Sequence, residues 1–468
     1  MRRTRPRSWV VVVALVGCVA MVLADFSIAV KPVGASSPGR PRIGGLACVP
    51  TVEGPVTESP PGFVAVLQSD LPPGWVDEDF FVACSSPEIT YKTVVFVRRP
   101  ADPRRASGVV AVDPLHSAGI WGMQTLLQPY FVAHGDVHVG VAASRDAVDR
   151  LVKGANPARY ASLDVPDTPD APNEVLAGVG ALLHRRPNAL VPGVRVKSAI
   201  LGGWSQTAVV TRTFISSPQA EATVDGRRVF DGFFPGQAAV GSSGGSQVGP
   251  IRDVGVPVVE LQGERELLVT ISIYGRLGYR RPDSKTYRLY EVAAMSHINN
   301  EPDNPISGFA GSLTCDWPAG ATPSAFRQTD IWAMAFDNLV GWISKGVAPP
   351  RAARIDLEAD GRTVKRDANA NALGGVRSVF VDVPTASIMP TSLAPGGVVM
   401  NPCAYAGYQL DFAREKLQQL YRTHAASVQR VTKDTNTLVR ERFLLPERAR
   451  ALVAAARDSS VLRGGDGT

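Results

Sequence analysis

The stretch 196–208, Val-Lys-Ser-Ala-Ile-Leu-Gly-Gly-Trp-Ser-Gln-Thr-Ala, constrains this chain more than any other. An apolar run leads into Gly202-Gly203-Trp204-Ser205 and then into residues that favour a helix. A strand that turns at once into a helix brings two backbones close together, and the residues at the crossing must be small. Gly202, Gly203 and Ala208 meet that demand. The serine at such a turn is held strained, with its hydroxyl exposed. Thr207 stands where the usual Gly-x-Ser-x-Gly pattern has its last glycine, so this crossing needs more room beside the strand. The plainer reading makes Ser205 the N-cap of an ordinary strand-to-helix turn. A rival serine, Ser246 in Gly245-Ser246-Gln247, lies in a loop with no strand before it.

The surrounding rhythm supports the turn. Apolar strand candidates fall at 108–112, 137–142, 196–201, 229–234, 257–261 and 287–292, with helical segments between them at 121–134, 173–185 and 206–216. Continuous apolar runs are how parallel strands buried on both faces read, and their alternation with helices predicts an α/β fold. That fold is a mainly parallel central sheet with helices on both faces. Ahead of them, 63–68, 80–84 and 91–98 are β-branched and aromatic, bounded by Pro, Gly and Asp, and predict antiparallel edge strands. Order is expected to begin near Phe63, after an extended Pro/Gly/Ser-rich lead-in over 25–60. The Gly/Ser-rich 236–250 and the Pro/Gly/Ala-rich 348–400 are lid or insertion candidates. Helices are expected at 412–421, 425–439 and 446–456. Residues 61–460 thus read as a single domain with an insertion and C-terminal helices at 411–457. No internal repeat breaks it up.

A serine hydroxyl is a weak nucleophile until a histidine takes its proton, and a carboxylate must orient that histidine. With a nucleophile elbow of the α/β-hydrolase kind, the chain order is Ser, acid, His. His297, in Ala293-Ala294-Met295-Ser296-His297 after the last strand candidate, is placed to be the base. His424, the other downstream histidine, sits in helical tail sequence. The strand 257–261 runs into Gln262-Gly263-Glu264-Arg265-Glu266. The Gly-x-x-acid arrangement favours Glu266 as the acid, with Glu264 the alternative. Gln206, as the residue after the nucleophile, supplies one backbone N–H for a developing oxyanion. The second is expected from Ser117 or Ala118, in the loop Pro114-Leu115-His116-Ser117-Ala118-Gly119. His116 either shapes that loop by hydrogen bonding or is a surface histidine.

The N-terminus carries Arg2, Arg3, Arg5 and Arg7 and then an apolar run over 9–23, the layout of a signal peptide. The run is short of the roughly 20 residues a membrane-spanning helix needs. Val22-Leu23-Ala24 offers cleavage after Ala24, and 33–35 offers a later site. Leu15-Val16-Gly17-Cys18 resembles a lipobox, so a lipid anchor at Cys18 is one alternative and an uncleaved anchor is another. Loss of the four arginines takes the net charge from +6 to +2. With no basic run interleaved with aromatics, no nucleic-acid partner is expected. Cys48, Cys84, Cys315 and Cys403 remain, an even set that favours disulfides in an exported protein. Of the three possible connectivities, Cys48 with Cys84 and Cys315 with Cys403 is preferred. No CxxC pair or His/Cys cluster points to a metal. His134 and His138, though four apart, flank Gly135 and read as structural.

Over about residues 50–460 the chain resembles the alpha/beta hydrolase domain family of bacterial and fungal proteins. The likeness rests on the elbow Gly203-Trp204-Ser205-Gln206, on Met295-Ser296-His297, and on Val52-Glu53-Gly54-Pro55-Val56-Thr57. It also rests on Gly74-Trp75-Val76-Asp77-Glu78-Asp79-Phe80-Phe81-Val82, Val97-Arg98-Arg99-Pro100-Ala101-Asp102-Pro103, Leu420-Tyr421-Arg422-Thr423-His424 and Phe443-Leu444-Leu445-Pro446-Glu447. The resemblance implies a serine hydrolase fold and leaves the substrate open. Family members often carry an Asn-x-Ser-Gly-Gly-like loop where this chain has Leu115-His116-Ser117-Ala118-Gly119. The expectation is a secreted or envelope enzyme that hydrolyses small-molecule carboxylic esters without a cofactor. An acyltransferase using the same triad and an inactive envelope binding protein are the alternatives. Oligomeric state is left open.

Overall fold

In the computed structural model, which describes residues 45–56, 62–238, 249–301, 304–307, 313–392 and 402–463, the strand candidates assemble around one sheet. Its strands are β1 (Thr51–Glu53), β2 (Trp75–Ser85), β3 (Thr90–Pro100), β4 (Val109–Pro114), β5 (Val137–Val141) and β6 (Ser198–Trp204). After a two-strand ribbon, β7 (Thr223–Val224) and β8 (Arg227–Arg228), come β9 (Gly232–Gly236), β10 (Val258–Gly263) and β11 (Tyr287–Val292). The sheet order is β1-β2-β3-β5-β4-β6-β9-β10-β11. From β5 to β11 every neighbouring pair is parallel. β1, β2 and β3 join as the antiparallel edge.

Alternate residues of the central strands enter opposite cores, as a period of two requires. Val110, Val112, Ala199, Leu201 and Phe233 pack on one face with helices α2 (Ala171–Arg185) and α3 (Gln206–Ser216), through Val175, Leu182 and Phe214. Ala111, Ile200 and Phe234 pack on the other face with α1 (Gly122–His134) and α5 (Gln328–Lys345), through Met123, Phe131, Trp332 and Phe336. Removing a buried side chain such as Ile200 by substitution with alanine costs about 2–5 kcal/mol in such a setting. α4 (Glu264–Tyr274) follows β10 directly.

The sheet edge at β11 is covered by part of the insertion. Val376 N–H donates to Glu291 O at 2.6 Å and Ala293 N–H donates to Val376 O at 3.0 Å. Arg354 and Asp283 pin this segment at 2.6 Å, and Arg366 and Glu264 pin it at 2.7 Å. A second sheet of β12 (Thr322–Pro323), β13 (Ala386–Met389) and β14 (Tyr408–Asp411) runs in the order β12-β14-β13. It precedes α6 (Arg414–Tyr421), α7 (His424–Arg440) and α8 (Pro446–Asp458).

Two expectations are corrected and one helix is added. Residues 63–68 are not a strand: Leu67 takes φ 62°, and the segment turns over the loop after β4, where Val66 N–H donates to Gly119 O at 2.7 Å. Order starts before Phe63, because β1 pairs with β2 and Cys48 is bonded to Cys84. Helix α5 was not anticipated, although Ile331, Ala335, Leu339 and Trp342 stand at helical spacing on its buried side. The second disulfide joins Cys315 and Cys403, as preferred from the sequence. Among the described residues no helix is long and apolar enough to cross a membrane. The 1–24 segment with Cys18, the remainder of 25–44, Ser246, most of the 236–250 loop and 393–400 of the insertion lie outside the described residues.

Candidate active site

The elbow works as its composition requires. A Cβ on Gly203 would lie 2.4 Å from the Thr207 carbonyl carbon, and one on Gly202 would lie 2.4 Å from Met123 Sδ. Ser205 takes φ 59° and ψ −122°, a strained conformation for a residue with a side chain. Its N–H donates to Gly236 O at 3.2 Å on the neighbouring strand. Thr207, the departure from the pattern, is accommodated by closing the turn itself. Its hydroxyl donates to Trp204 O at 2.9 Å and accepts from Trp204 N–H at 3.0 Å.

Three of the residues singled out from the sequence converge at the carboxyl ends of β6, β10 and β11. Ser205 Oγ lies 2.9 Å from His297 Nε2, and His297 Nδ1 lies 2.7 Å from Glu266 Oε1. They are 9%, 2% and 1% exposed. Glu266 sits in the first turn of α4, where its other oxygen accepts from Gly263 N–H at 3.2 Å. The neighbouring Arg265 reaches Glu266 Oε1 at 3.4 Å. Burial pushes the Glu266 carboxyl up, but the bond and charge of His297, with Arg265, outweigh it and leave the group below its usual range. Burial lowers His297, against the pull of Glu266. Near neutral pH the pair therefore stands as carboxylate and neutral imidazole.

Glu264 does different work. Its carboxylate accepts from Ala294 N–H at 2.7 Å and from Arg366 at 2.7 Å, so it braces the turn leading to His297 without meeting the imidazole. Ala294 holds φ 64° in that turn. Burial raises the Glu264 carboxyl, with Arg366 and the Ala294 bond opposing. His424 binds Val461 O at 2.8 Å in the C-terminal helices.

Gln206 opens α3, so its N–H belongs to the helix's unpaired first turn and its positive dipole end. Ser117 N–H points to the elbow and donates to Gln206 Oε1 at 2.8 Å. Ala118 N–H donates to His116 Nδ1 at 2.9 Å, within its own loop. His116 is buried rather than superficial and shapes the loop; burial pushes its pKa down to about 3. His134 bonds Tyr130 O at 2.9 Å, and His138 lies 3.3 Å from Asp113.

Sequence reasoning missed two supports. Asp113, at the end of β4, accepts from Met123 N–H at 2.8 Å and Gln124 N–H at 3.2 Å and so fixes the start of α1. Gln237, just past β9, is fully buried and accepts from two tryptophan N–H groups. A polar residue at or just past the end of an apolar strand was the available signal for each.

A strand-elbow-helix with a buried Ser, His and Glu in hydrogen-bonded line defines the serine-nucleophile architecture of α/β hydrolases. The family model for the alpha/beta hydrolase domain matches residues 74–454, and the chain belongs to that family. No curated protein matches it. Among solved structures, esterase Est22 is 12% identical at a TM-score of 0.27, the match covering 38% of this chain and 48% of that one. A thermostable esterase from Pseudomonas putida is 11% identical at a TM-score of 0.27, covering 42% and 66%. Brefeldin A esterase, a bacterial homologue of human hormone-sensitive lipase, is 13% identical at a TM-score of 0.24, covering 36% and 43%. These matches thus span 43% to 66% of the neighbours' own lengths.

Proposed function

We propose that the protein hydrolyses carboxylic esters of small molecules through Ser205, His297 and Glu266. The observation that carries this reading is the unbroken line from Ser205 Oγ to His297 Nε2 at 2.9 Å and from Nδ1 to Glu266 at 2.7 Å. Ser205 Oγ attacks the ester carbonyl carbon while its proton passes to Nε2. The carbonyl oxygen becomes an oxyanion held by the Gln206 N–H and a second amide, for which the orientation of Ser117 toward the elbow favours Ser117 over Ala118. Collapse breaks the bond to the leaving oxygen, which takes the proton from His297 and departs as an alcohol. Water, deprotonated by His297, then releases the acid and restores Ser205. Glu266 stays ionised and orients the imidazole throughout.

We further propose export by the 1–24 segment, with 61–460 acting as one domain. Two disulfides fit an extracytoplasmic setting. The test of activity is hydrolysis of p-nitrophenyl acetate, butyrate and octanoate by the mature protein beside Ser205→Ala. The expected result is turnover that the substitution abolishes. Equal turnover by Ser205→Ala would refute the assignment.

A further inference from the structure

The residue before the nucleophile is built into the surroundings of the histidine. The Trp204 indole lies nearly parallel to the His297 imidazole, with ring centroids 4.7 Å apart and planes inclined by 24°. Its N–H donates to Gln237 Oε1 at 3.1 Å, and the Trp332 indole N–H donates to the same oxygen at 3.0 Å. Gln237 Nε2 donates to Ser296 O at 2.8 Å, and Gln237 N–H donates to Leu261 O at 2.6 Å. One buried carboxamide, at a residue holding φ 49°, therefore ties together the residue before Ser205, the residue before His297 and α5, while the backbone N–H of the same residue holds it to β10. The indole N–H bond to this anchored carboxamide orients the ring with its face on the imidazole.

We propose that Trp204, oriented by Gln237, is a positioning residue for the hydrolytic reaction: its π face keeps His297 in line between Ser205 and Glu266 and stabilises the imidazolium formed when Ser205 gives up its proton. This rests on the triad reading above. Indole is the strongest aromatic face for a cation, and the attraction grows where water is excluded, as it is at His297. The charge exists only after proton transfer, so the contact strengthens toward the transition state. The other charged or titratable groups around the imidazole come from every side. Glu266 binds Nδ1, and Arg265 stands behind Glu266. Tyr405 meets the ring edge-on at 5.3 Å. His116 lies beyond Trp204, its ring centroid 6.4 Å from the indole, with Arg150 bonded to the same loop at Ser117 O. None of these presents an aromatic face parallel to the imidazole.

The test follows the His297 titration by NMR, beside the pH profile of kcat/KM, for wild type, Trp204→Phe, Trp204→Leu and Gln237→Leu, with thermal unfolding as the check on folding. Trp204→Leu is expected to lower the imidazole pKa and the acid limb together by about one pH unit and to cut kcat about tenfold. Its KM should change less. Trp204→Phe should recover part of both effects, and Gln237→Leu, which leaves the indole present but unanchored, should shift the titration in the same direction by less. A folded Trp204→Leu that loses rate with its titration unmoved overturns the proposal. If Trp204→Leu does not fold, Trp204→Phe decides: a lowered titration supports the proposal, and a wild-type titration overturns it. The two readings fail separately. A wild type that hydrolyses no ester refutes the activity whatever the imidazole titration shows, whereas an active wild type whose variants titrate unchanged refutes the stack alone.

Discussion

Replacing Glu266 with glutamine keeps the shape of the side chain and removes the charge that faces His297. The carboxylate lies 2.7 Å from Nδ1, with both residues buried. Charge centres about 4 Å apart attract by about 4 kcal/mol at an effective dielectric near 20. Losing that attraction as the imidazolium forms is worth about three orders of magnitude in rate. The amide can also turn its NH2 toward Nδ1 and hold the imidazole in the wrong tautomer, an error that costs about 10⁴-fold in the serine-protease template. Glu266→Gln should therefore lower kcat/KM for p-nitrophenyl acetate by about 10³- to 10⁴-fold. Glu264→Gln is the control that gives this number meaning. Glu264 touches Ala294 N–H and Arg366 but not the imidazole, so its loss should lower the unfolding temperature while changing kcat/KM by less than about tenfold. The reasoning is refuted if Glu266→Gln stays within about tenfold of wild type, or if Glu264→Gln falls as far.

Three further outcomes follow from the same geometry. Burial lowers His297 from the ordinary imidazole value of 6.5, and the base works only when neutral. With His297 as the proposed base, kcat/KM should rise with pH through an acid limb below 6.5 and be flat near neutrality; a limb above 7 would contradict this. The disulfides close separations of 36 and 88 residues, worth about 4 and 4.5 kcal/mol by chain entropy. Replacing Cys315 and Cys403 by serine should lower both the unfolding temperature and kcat, because the segment after Cys403 bonds Arg265 through Ala404 O and lays Tyr405 against His297. Replacing Cys48 and Cys84 should lower the unfolding temperature alone, and equal losses of kcat from both pairs would count against the account. Gly203→Ala drives a methyl into the Thr207 backbone and should cost about 3 kcal/mol by denaturant unfolding, a change near zero being the contrary result.

Much of this molecule was legible in its sequence because the strongest signals were steric. The elbow could be located from Gly202 and Gly203, where a Cβ would collide with Met123 and with the Thr207 backbone, and from the small buried Ala208. The parallel strands could be located because both of their faces are buried, which leaves an unbroken apolar run. What was harder lay in contacts made across the chain. Residues 63–68 have strand composition, yet their backbone bonds go to Gly119 and Tyr160 rather than to a strand partner, and no local pattern announces that. The choice between Glu264 and Glu266 turns on which carboxylate of the same first helical turn faces the imidazole, a distinction of orientation that spacing alone only favours. Gln237 gave less warning still. Its role depends on Trp204, Trp332 and Ser296 arriving from three separate stretches of chain.

The central claim is that Ser205 is an activated nucleophile. Its most direct measurement is labelling of the folded protein with an alkyl fluorophosphonate, followed by tandem mass spectrometry to find the modified residue. The account predicts one adduct, on Ser205, formed by the wild type and lost in Ser205→Ala and His297→Ala. A folded wild type that takes up no label, or that carries it on another serine such as Ser246, would contradict it.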